Sequence, residues 1–480
     1  LRRTKIVATL GPATSTPEAI EAIIKAGVDV VRLNFSHGSH AEHAARAELV
    51  RELAQKAGRV IGILGDLQGP KLRIARFKDG KITLKPGDDF ILDADLASDA
   101  GTQERVGLGY KELVHDVKAG DELWLDDGRI VLEIREVRGQ EIHTRAINGG
   151  ILSNNKGLNR RGGGLSAAAL TDKDKEDITA AASIGVDFLA VSFPRTADDI
   201  NEARRLAVEA GCNAAIVAKM ERAETMEATI RDDIILASDV IMIARGDLGV
   251  EIGDAKLPEA QKCLISRART LNRAVITATQ MMETMTENPI PTRAEVFDVA
   301  NAVIDGTDAV MLSGETATGK HPALVVQTMA AICKEAENSK ETRRSRHRME
   351  DRFERIDEGI AMATMYTANH MGVRAIATLT ESGATPLWMS RIRSGIPIYA
   401  LTSNDVAARR VNMYRGVYPV KLHEPLKDPK IANRQAVELM MEAGIVEDGD
   451  LVIITKGDLM GAKGGTNQMK ILRVGEHQNG

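Results

Sequence analysis

Four polar clusters close four short apolar runs: Lys219-Met220-Glu221 with AAIVA, Arg245-Gly246-Asp247 with DVIMIA, Thr277-Ala278-Thr279-Gln280 with AVITA, and Ser313-Gly314-Glu315 with DAVML. Each run reads as a buried strand, and residues two apart on a strand face the same side, so Lys219 and Glu221 point into one site. A lysine, two carboxylates and several hydroxyls at strand ends are costly to arrange without chemistry to perform. Magnesium takes a few carboxylates together with substrate oxygens and water, and Glu221 with Asp247 supplies that hard-oxygen pair. Lys219 can balance charge building on a transferring phosphoryl group or an enolate oxygen. The plain alternative is a buried salt bridge, which adds little net stability. The pattern therefore points to a metal-dependent enzyme handling a phosphorylated anion. Arg32, Asn34 and Ser36 share one face of VDVVRLNFS, and Arg32 with Arg73 offers planar donors for phosphate or carboxylate. Thr279 and Ser313 read equally well as core hydroxyls. His37, in SHGSH, reads first as a turn or helix-start residue.

The elements that must position these residues alternate strand and helix in two parts of the chain. KIVATL (5–10), VDVVRLNFS (28–36) and VIGILGD (60–66) precede a break; VDFLAVSF (186–193) and the four runs above follow it, with helices between, PEAQKCLISRARTLN (258–272) the clearest. Three strands before the break and five after it make eight βα units, which argues for a (β/α)₈ TIM barrel over an open doubly wound sheet. Such barrels carry their chemistry at the C-terminal ends of the strands, where this chain also places Asp66 and Ser192. The break itself has short strands and Gly/Asp turns (KDGKITLKPGD, GDELWLDDGRIVLEI, VRGQEIHTRAI), the pattern of hairpins in a small inserted all-β domain. After the basic run ETRRSRHRMEDR, read as a solvated helix or linker, a further α/β unit is built on RAIATL (374–379), IPIYALT (396–402), LVIITK (451–456) and MKILRV (469–474). The expected division is a catalytic barrel of residues 1–68 and 168–340, an inserted β lid of 69–167, and a C-terminal α/β domain of 341–480.

Composition narrows the function classes. A formal charge of −5 gives no general attraction to nucleic acid or to an anionic membrane. Aromatic residues make up 3% of the chain, too few for stacking platforms. No apolar stretch approaches the roughly 18–20 residues needed to span a bilayer, and the first residues enter a strand with no secretory apolar core. Three widely spaced cysteines fit reduced thiols in a cytoplasmic protein.

Two further stretches resemble phosphate loops. Gly314 to His321 (GETATGKH) has the outline of a P-loop, but His321 stands where a hydroxyl must reach magnesium, so the match is discounted. Thr380-Glu381-Ser382-Gly383-Ala384-Thr385-Pro386 joins a strand to a helix and can present backbone N–H groups to a phosphate. A glycine-rich loop, KGDLMGAKGGTN (456–467, with Lys463), can close over the same spot. Thr380, Ser382, Gly383, Ala384, Thr385 and Lys463 thus form a candidate effector site away from the barrel mouth; a plain helix cap is the competing reading.

VRLNFSHG, LGDLQGPKLR, IARGDLGVE, ITATQMMETM, PTRAEVFDVANAV and DAVMLSGETA closely resemble the pyruvate kinase family, in its bacterial form, and the resemblance extends from Thr4 to TNQMKILRV near the C-terminus. It implies a barrel with a lid inserted after strand three, a C-terminal effector domain and a homotetramer. It implies transfer of the phosphoryl group of phosphoenolpyruvate to ADP, giving pyruvate and ATP, with Mg²⁺ (or Mn²⁺). By resemblance, Arg32 and Lys219 contact the transferring group, Glu221 and Asp247 hold the divalent ion, and Gly246, Asp247 and Thr279 face the substrate carboxylate. Asn34, His37, Arg73 and Lys156 are then expected at the nucleotide phosphates. Thr279 and Ser313 are expected to organise the proton relay to an enolate stabilised by Mg²⁺ and Lys219.

Three departures from the family pattern carry expectations of their own. Relatives that need K⁺ hold it at positions matching Asn34, Ser36, Asp66 and the backbone of Leu67, and usually carry glutamate where this chain has Lys71; the lysine ammonium would replace the ion, so K⁺ is not expected to be required. The lid segment NKGLNRRGGGLS (155–166) replaces a commoner asparagine-leucine-proline-glycine turn but keeps Lys156. Glu381 stands where some fructose-bisphosphate-activated relatives have lysine, which favours a monophosphorylated activator, a sugar monophosphate or AMP. Two rival functions have distinct signatures. Another barrel enzyme forming a metal-bound enolate, an aldolase or lyase, would make no ATP; a catalytically silent metabolite sensor would bind without turnover.

Overall fold

A computed structural model of the chain describes residues 1–70, 72–126, 128–343, 352–424, 426, 428, 431–458 and 464–476. Eight parallel strands close into a barrel: Lys5–Thr9, Val30–Asn34, Gly62–Asp66, Phe188–Val191, Ala215–Met220, Val240–Ala244, Ala274–Ala278 and Ala309–Leu312. Each pairs with the next in the chain, and the eighth pairs with the first through Lys5↔Ala309 to Ala8↔Leu312. Four of the surrounding helices start at side-chain caps: Thr16, Ser39, Thr171 and Thr292 each accept from the backbone N–H three residues on. Three of these helices stop at Gly27 (φ 112°), Gly185 (φ 72°) and Gly306 (φ 104°), left-handed positions that glycine takes without strain.

Strand parity sorts the barrel residues into two cores. Ile6, Val31, Ile63, Leu189 and Ile216 pack with helix residues such as Ile20, Ile23 and Val50. Their neighbours Val7, Val30, Leu64, Phe188, Ala190, Val217 and Met311 form a separate core inside the barrel. Followed toward the C-terminal ends in steps of two, the interior positions reach Thr9, Arg32, Asp66, Ser192, Lys219, Glu221 and Ser313. Followed backwards on strand one they reach Lys5, which is 1% exposed. The interior core is continuous with Met365, Ile376, Ile398 and Val411 of the C-terminal domain, which therefore seals the N-terminal end of the barrel.

The inserted lid carries a six-stranded sheet, in the order Leu158–Arg160, Glu122–Leu125, Ile130–Arg138, Glu141–Ala146, Asp89–Asp93 and Arg105–Gly107, and a two-stranded sheet of Lys81–Leu84 with Gly150–Ser153. Its core is its own, built on Phe90, Leu123, Leu132 and Ile142. The hairpins expected from the Gly/Asp turns are present as antiparallel pairs, Leu123↔Leu132 and Val137↔Ile142 among them.

The C-terminal sheet has five strands, one more than the four expected. The order is Val417–Lys421, Ile398–Thr402, Ala375–Leu379, Leu451–Lys456, Gln468–Arg473, the last antiparallel. The additional strand, VYPVK, contains Pro419, which lowers its strand signal; it lies at the sheet edge, where a missing N–H is tolerated. Most of the basic run 341–352 lies outside the described residues.

Candidate active site

At the barrel mouth the interior parity gathers groups of opposite charge from strands two, three and five. Arg32 Nε donates to Asp66 Oδ2 at 2.6 Å, and its Nη1 donates to Thr9 Oγ1 at 3.1 Å. Lys219 Nζ lies 2.9 Å from Glu221 Oε1 and 3.4 Å from Asp66 Oδ1, and donates to Ser192 Oγ at 2.8 Å. Ser192 in turn donates to the Leu67 carbonyl at 2.8 Å, and the Phe193 N–H donates to Glu221 Oε2 at 2.8 Å. Burial by itself disfavours the Lys219 charge, but Asp66 and Glu221 outweigh it and hold the ammonium pKa above its usual value. Burial likewise opposes the Asp66 charge, and Lys219 with Arg32 outweighs it, so that carboxyl lies below its usual range. The quartet Arg32, Asp66, Lys219 and Glu221 thus sets two basic side chains against two acidic ones, balanced in formal charge.

Glu221 also has the character of a metal ligand. Its side chain is 1% exposed, and Oε1 lacks a partner in hydrogen-bond geometry despite the nearby ammonium. Such an oxygen retains acceptor capacity for a hard cation. Asp247 follows on the first turn of the helix Arg245–Ile252, directly beyond strand six. Among the described residues no group of three or more His, Cys, Asp or Glu side chains forms a complete protein cage. The donor set of two carboxylates fits Mg²⁺ or Mn²⁺ bound with the help of substrate oxygens and water.

The neighbouring strand ends are held under backbone strain. Thr279 has φ 67° and Gln280 φ 54°, and a β-branched residue in that region is a genuine outlier. The turn is locked by Arg245, which donates to the Thr279 carbonyl at 2.6 Å and pairs with Asp298 at 2.6 Å. Thr279 Oγ1 accepts from the Gly246 N–H at 2.9 Å and donates to the Ala278 carbonyl at 2.7 Å. Phe193, beside Glu221, is also left-handed at φ 53°. Strain of this kind concentrates where function fixes the geometry. Beyond strand eight, in the short helix Gly314–Ala317, the Glu315 carboxylate accepts from the Ser313 N–H at 2.6 Å and the Met282 N–H at 3.2 Å, so it braces the chain leaving strands seven and eight. Ser313 Oγ is buried without a hydrogen-bond partner, a hydroxyl held ready inside the mouth.

Between lid and barrel lies a cavity of about 420 Å³. Arg73, Lys156, Phe193, Asp247 and Glu251 line it, so two of the four residues assigned to the nucleotide face the same space as a metal candidate. Lys156 Nζ is 2.7 Å from Asp126 Oδ1. The other two, Asn34 and His37, lie on the turn after strand two: Asn34 Oδ1 accepts from the Ser36 N–H at 3.1 Å, and the His37 carbonyl accepts from His43 Nε2 at 2.8 Å.

The decisive observation is that both halves of this architecture match one family. Residues 1–326 match the family described as pyruvate kinase, barrel domain, and residues 358–472 that described as pyruvate kinase, alpha/beta domain. The chain belongs to the pyruvate kinase family. It is 57% identical over 476 residues to pyruvate kinase II of Salmonella typhimurium, covering 99% of each chain. It is 58% identical over 459 residues to pyruvate kinase of Haemophilus influenzae, with 95% of this chain and 96% of the relative covered. Identity to pyruvate kinase of Geobacillus stearothermophilus is 42% over 476 residues, with 98% of this chain and 80% of that relative covered.

Other expected features of a pyruvate kinase are placed as follows. At the positions matching the K⁺ site, Asp66 is ion-paired to Arg32 and Lys219, and the Leu67 carbonyl accepts from Ser192; Lys71 lies outside the described residues. In the C-terminal domain Gly383 (φ 83°) caps the helix Ala384–Ser390, and its N–H donates to Thr380 Oγ1 at 2.9 Å. Thr385 Oγ1 meets Thr466 Oγ1 at 2.7 Å, which brings the loop 380–386 and the loop 456–467 together; Lys463 lies outside the described residues. Lys320 of the discounted P-loop outline pairs with Glu287 at 2.6 Å, both side chains exposed. All three cysteines are free, with Cys212 and Cys333 buried. No described helix is long and apolar enough to cross a membrane.

Two residues that matter here lack a sequence signal strong enough to single them out. Thr9 ends an ordinary β-rich run, and only its parity shows that it faces Arg32. Asp174 is fully buried: Oδ1 accepts from the Gly69 N–H at 3.0 Å and Oδ2 from Thr171 Oγ1 at 2.6 Å. It ties the chain entering the lid to the helix that follows the lid. Gly69 has φ 67°, and a Cβ there would lie 2.6 Å from that of Ser192.

Proposed function

We propose that the chain transfers the phosphoryl group of phosphoenolpyruvate to ADP, giving pyruvate and ATP, in a Mg²⁺- or Mn²⁺-dependent reaction. The observation that carries this reading is the balanced quartet at the barrel mouth next to a cavity bearing Arg73 and Lys156. Arg32 and Lys219 cancel Asp66 and Glu221, and Asp247 adds a further negative charge. A substrate carrying both a carboxylate and a phosphate then needs additional positive charge, which a divalent ion held by Glu221 and Asp247 supplies. Arg32 and Lys219 face the transferring phosphoryl group, and the Gly246 backbone and Thr279 face the substrate carboxylate. Lys219, kept protonated by its two carboxylates, stabilises the oxygen that loses the phosphoryl group. Thr279 and Ser313 hold the water that delivers a proton to carbon. Asn34, His37, Arg73 and Lys156 position the nucleotide, under a lid of residues 69–167 on a barrel of 1–68 and 168–340. A coupled assay supplying phosphoenolpyruvate, ADP and Mg²⁺ tests the proposal: ATP and pyruvate must appear in equal amounts. Carbon–carbon cleavage without ATP would establish the aldolase or lyase alternative instead.

Regulation and assembly belong to the same reading. The effector site of residues 341–480 comprises Thr380, Ser382, Gly383, Ala384, Thr385 and Lys463. A second phosphate there meets Glu381, so the activator is a monophosphate, either a sugar monophosphate or AMP. Activation by fructose 1,6-bisphosphate alone would refute this. The enzyme works in the cytoplasm as a homotetramer; Ile290 and Phe297, 72% and 69% exposed, give apolar surface for self-association, and light scattering reads the mass. K⁺ is not required, because Lys71 supplies the charge at the site formed by Asn34, Ser36, Asp66 and Leu67.

A further inference from the structure

The seam between the barrel floor and the C-terminal domain concentrates positive charge. Arg3 and Arg269 from the barrel side and Arg391, Arg393 and Arg415 from the C-terminal domain surround one cavity, and among the described residues its only acidic lining residue is Asp308. Arg391, 1% exposed, takes both oxygens of that carboxylate. Arg3 lies 3.7 Å from Glu337. The rest of the guanidinium hydrogen bonds run mainly to neutral acceptors: Arg269 Nη2 donates to the Arg391 carbonyl at 2.9 Å, Arg393 Nη2 to the Ile304 and Asp305 carbonyls at 2.9 Å, and Arg415 Nη1 to the Val303 carbonyl at 3.0 Å.

Two donors in the cluster have no acceptor among the described residues. Arg415 is 8% exposed, and its Nη2 is buried without a hydrogen-bond partner; Arg393 Nε is in the same state. Guanidinium groups do not escape such a site by losing a proton at neutral pH. Burial, together with the neighbouring guanidinium charges, pushes Arg269 down to about 9 and Arg415 down to about 10, which registers how poorly their charge is compensated. The cavity between them measures about 20 Å³, and about 10–15 Å³ suffices for one water-sized particle. That space admits a single monatomic ion and excludes a phosphate ester.

We propose that this seam binds one halide-sized anion, chloride in solution, through Arg415 Nη2 and the surrounding guanidinium groups. The anion neutralises charge contributed by both domains and so fastens the C-terminal domain to the barrel floor. The site is separate from the barrel mouth and from the loops around Thr385.

The test uses the full-length chain grown into crystals from bromide solution, with anomalous scattering measured at the bromine edge. The expected result is one bromide peak within hydrogen-bond reach of Arg415 Nη2. In parallel, replacing gluconate by chloride at constant ionic strength should raise the unfolding midpoint by a few degrees and saturate, and Arg415→Gln should remove the saturable part. A peak-free cavity, or a chloride response that never saturates, would overturn the proposal. Should Arg415→Gln fail to fold, the wild-type bromide experiment decides alone.

Discussion

The residues at the barrel mouth owe their positions to strand parity, and this is what made most of them legible in the sequence. Lys219 and Glu221 are two apart on strand five and meet one another at 2.9 Å; the same rule extends from Val30 to Arg32 and from Leu64 to Asp66. What parity cannot give is conformation beyond the strand. Thr279 stands one residue past the interior register of strand seven, and its left-handed backbone turns the hydroxyl back to the Gly246 N–H. That strain is held in place by Arg245, so Thr279→Ala should fold while lowering kcat by about 10²-fold or more, in the range of lost proton-relay catalysis; loss of solvent-proton exchange at the methyl carbon of pyruvate is the accompanying readout. Glu251 behaves differently. Burial raises its pKa to about 8, from a usual 4.5, although the Ala223 N–H hydrogen bond opposes the shift. The native state therefore binds an extra proton between those values, and the associated stability is full below 4.5 and lost as pH rises through about 8. Glu251→Gln should flatten the fall of the unfolding midpoint across that window, as calorimetry at several pH values would show. An unchanged slope would mean that Glu251 is ionised throughout.

At the scale of elements, the eight strands were readable because buried parallel strands are short apolar runs with polar ends. The missed strand, Val417–Lys421, shows the limit of that signal: Pro419 argues against a strand unless the edge position is already known. The tie at the entry to the inserted domain was unreadable for another reason, since Gly69 and Asp174 meet across 105 residues of sequence. Asp174→Ala removes an N-cap interaction worth roughly 1 kcal/mol and leaves the buried Gly69 N–H unpaired, a further cost of about 1–3 kcal/mol. The expected outcome is a larger rise in KM for ADP than for phosphoenolpyruvate, with faster amide exchange at Gly69. Equal changes in both KM values would show that this tie does not bear on nucleotide binding.

The whole molecule rests on two ends of one barrel. Its mouth is polar and strained, and its floor is closed by an apolar core shared with the C-terminal domain and framed by the Arg391–Asp308 pair. Replacing one partner of that buried pair, as in Arg391→Met, should destabilise the chain by about 1–3 kcal/mol in urea unfolding, because Asp308 loses both guanidinium hydrogen bonds and the Arg273 carbonyl loses its donor. Composition and motif resemblance carried the three-part architecture, but not the seam, whose arginines are scattered from Arg3 to Arg415 and read individually as surface charges. Potassium dependence is likewise a property of the assembled site: wild-type rates should be unchanged when K⁺ is replaced by a large organic cation, and Lys71→Glu should acquire a K⁺ requirement. The most direct test of the central claim is the rate of ATP formation by Lys219→Met at saturating phosphoenolpyruvate and ADP. On the proposed role of Lys219, this substitution should lower kcat by about 10³-fold or more, with KM for phosphoenolpyruvate changed less than about tenfold. A kcat within about threefold of wild type would contradict the placement of phosphoryl transfer at this barrel mouth.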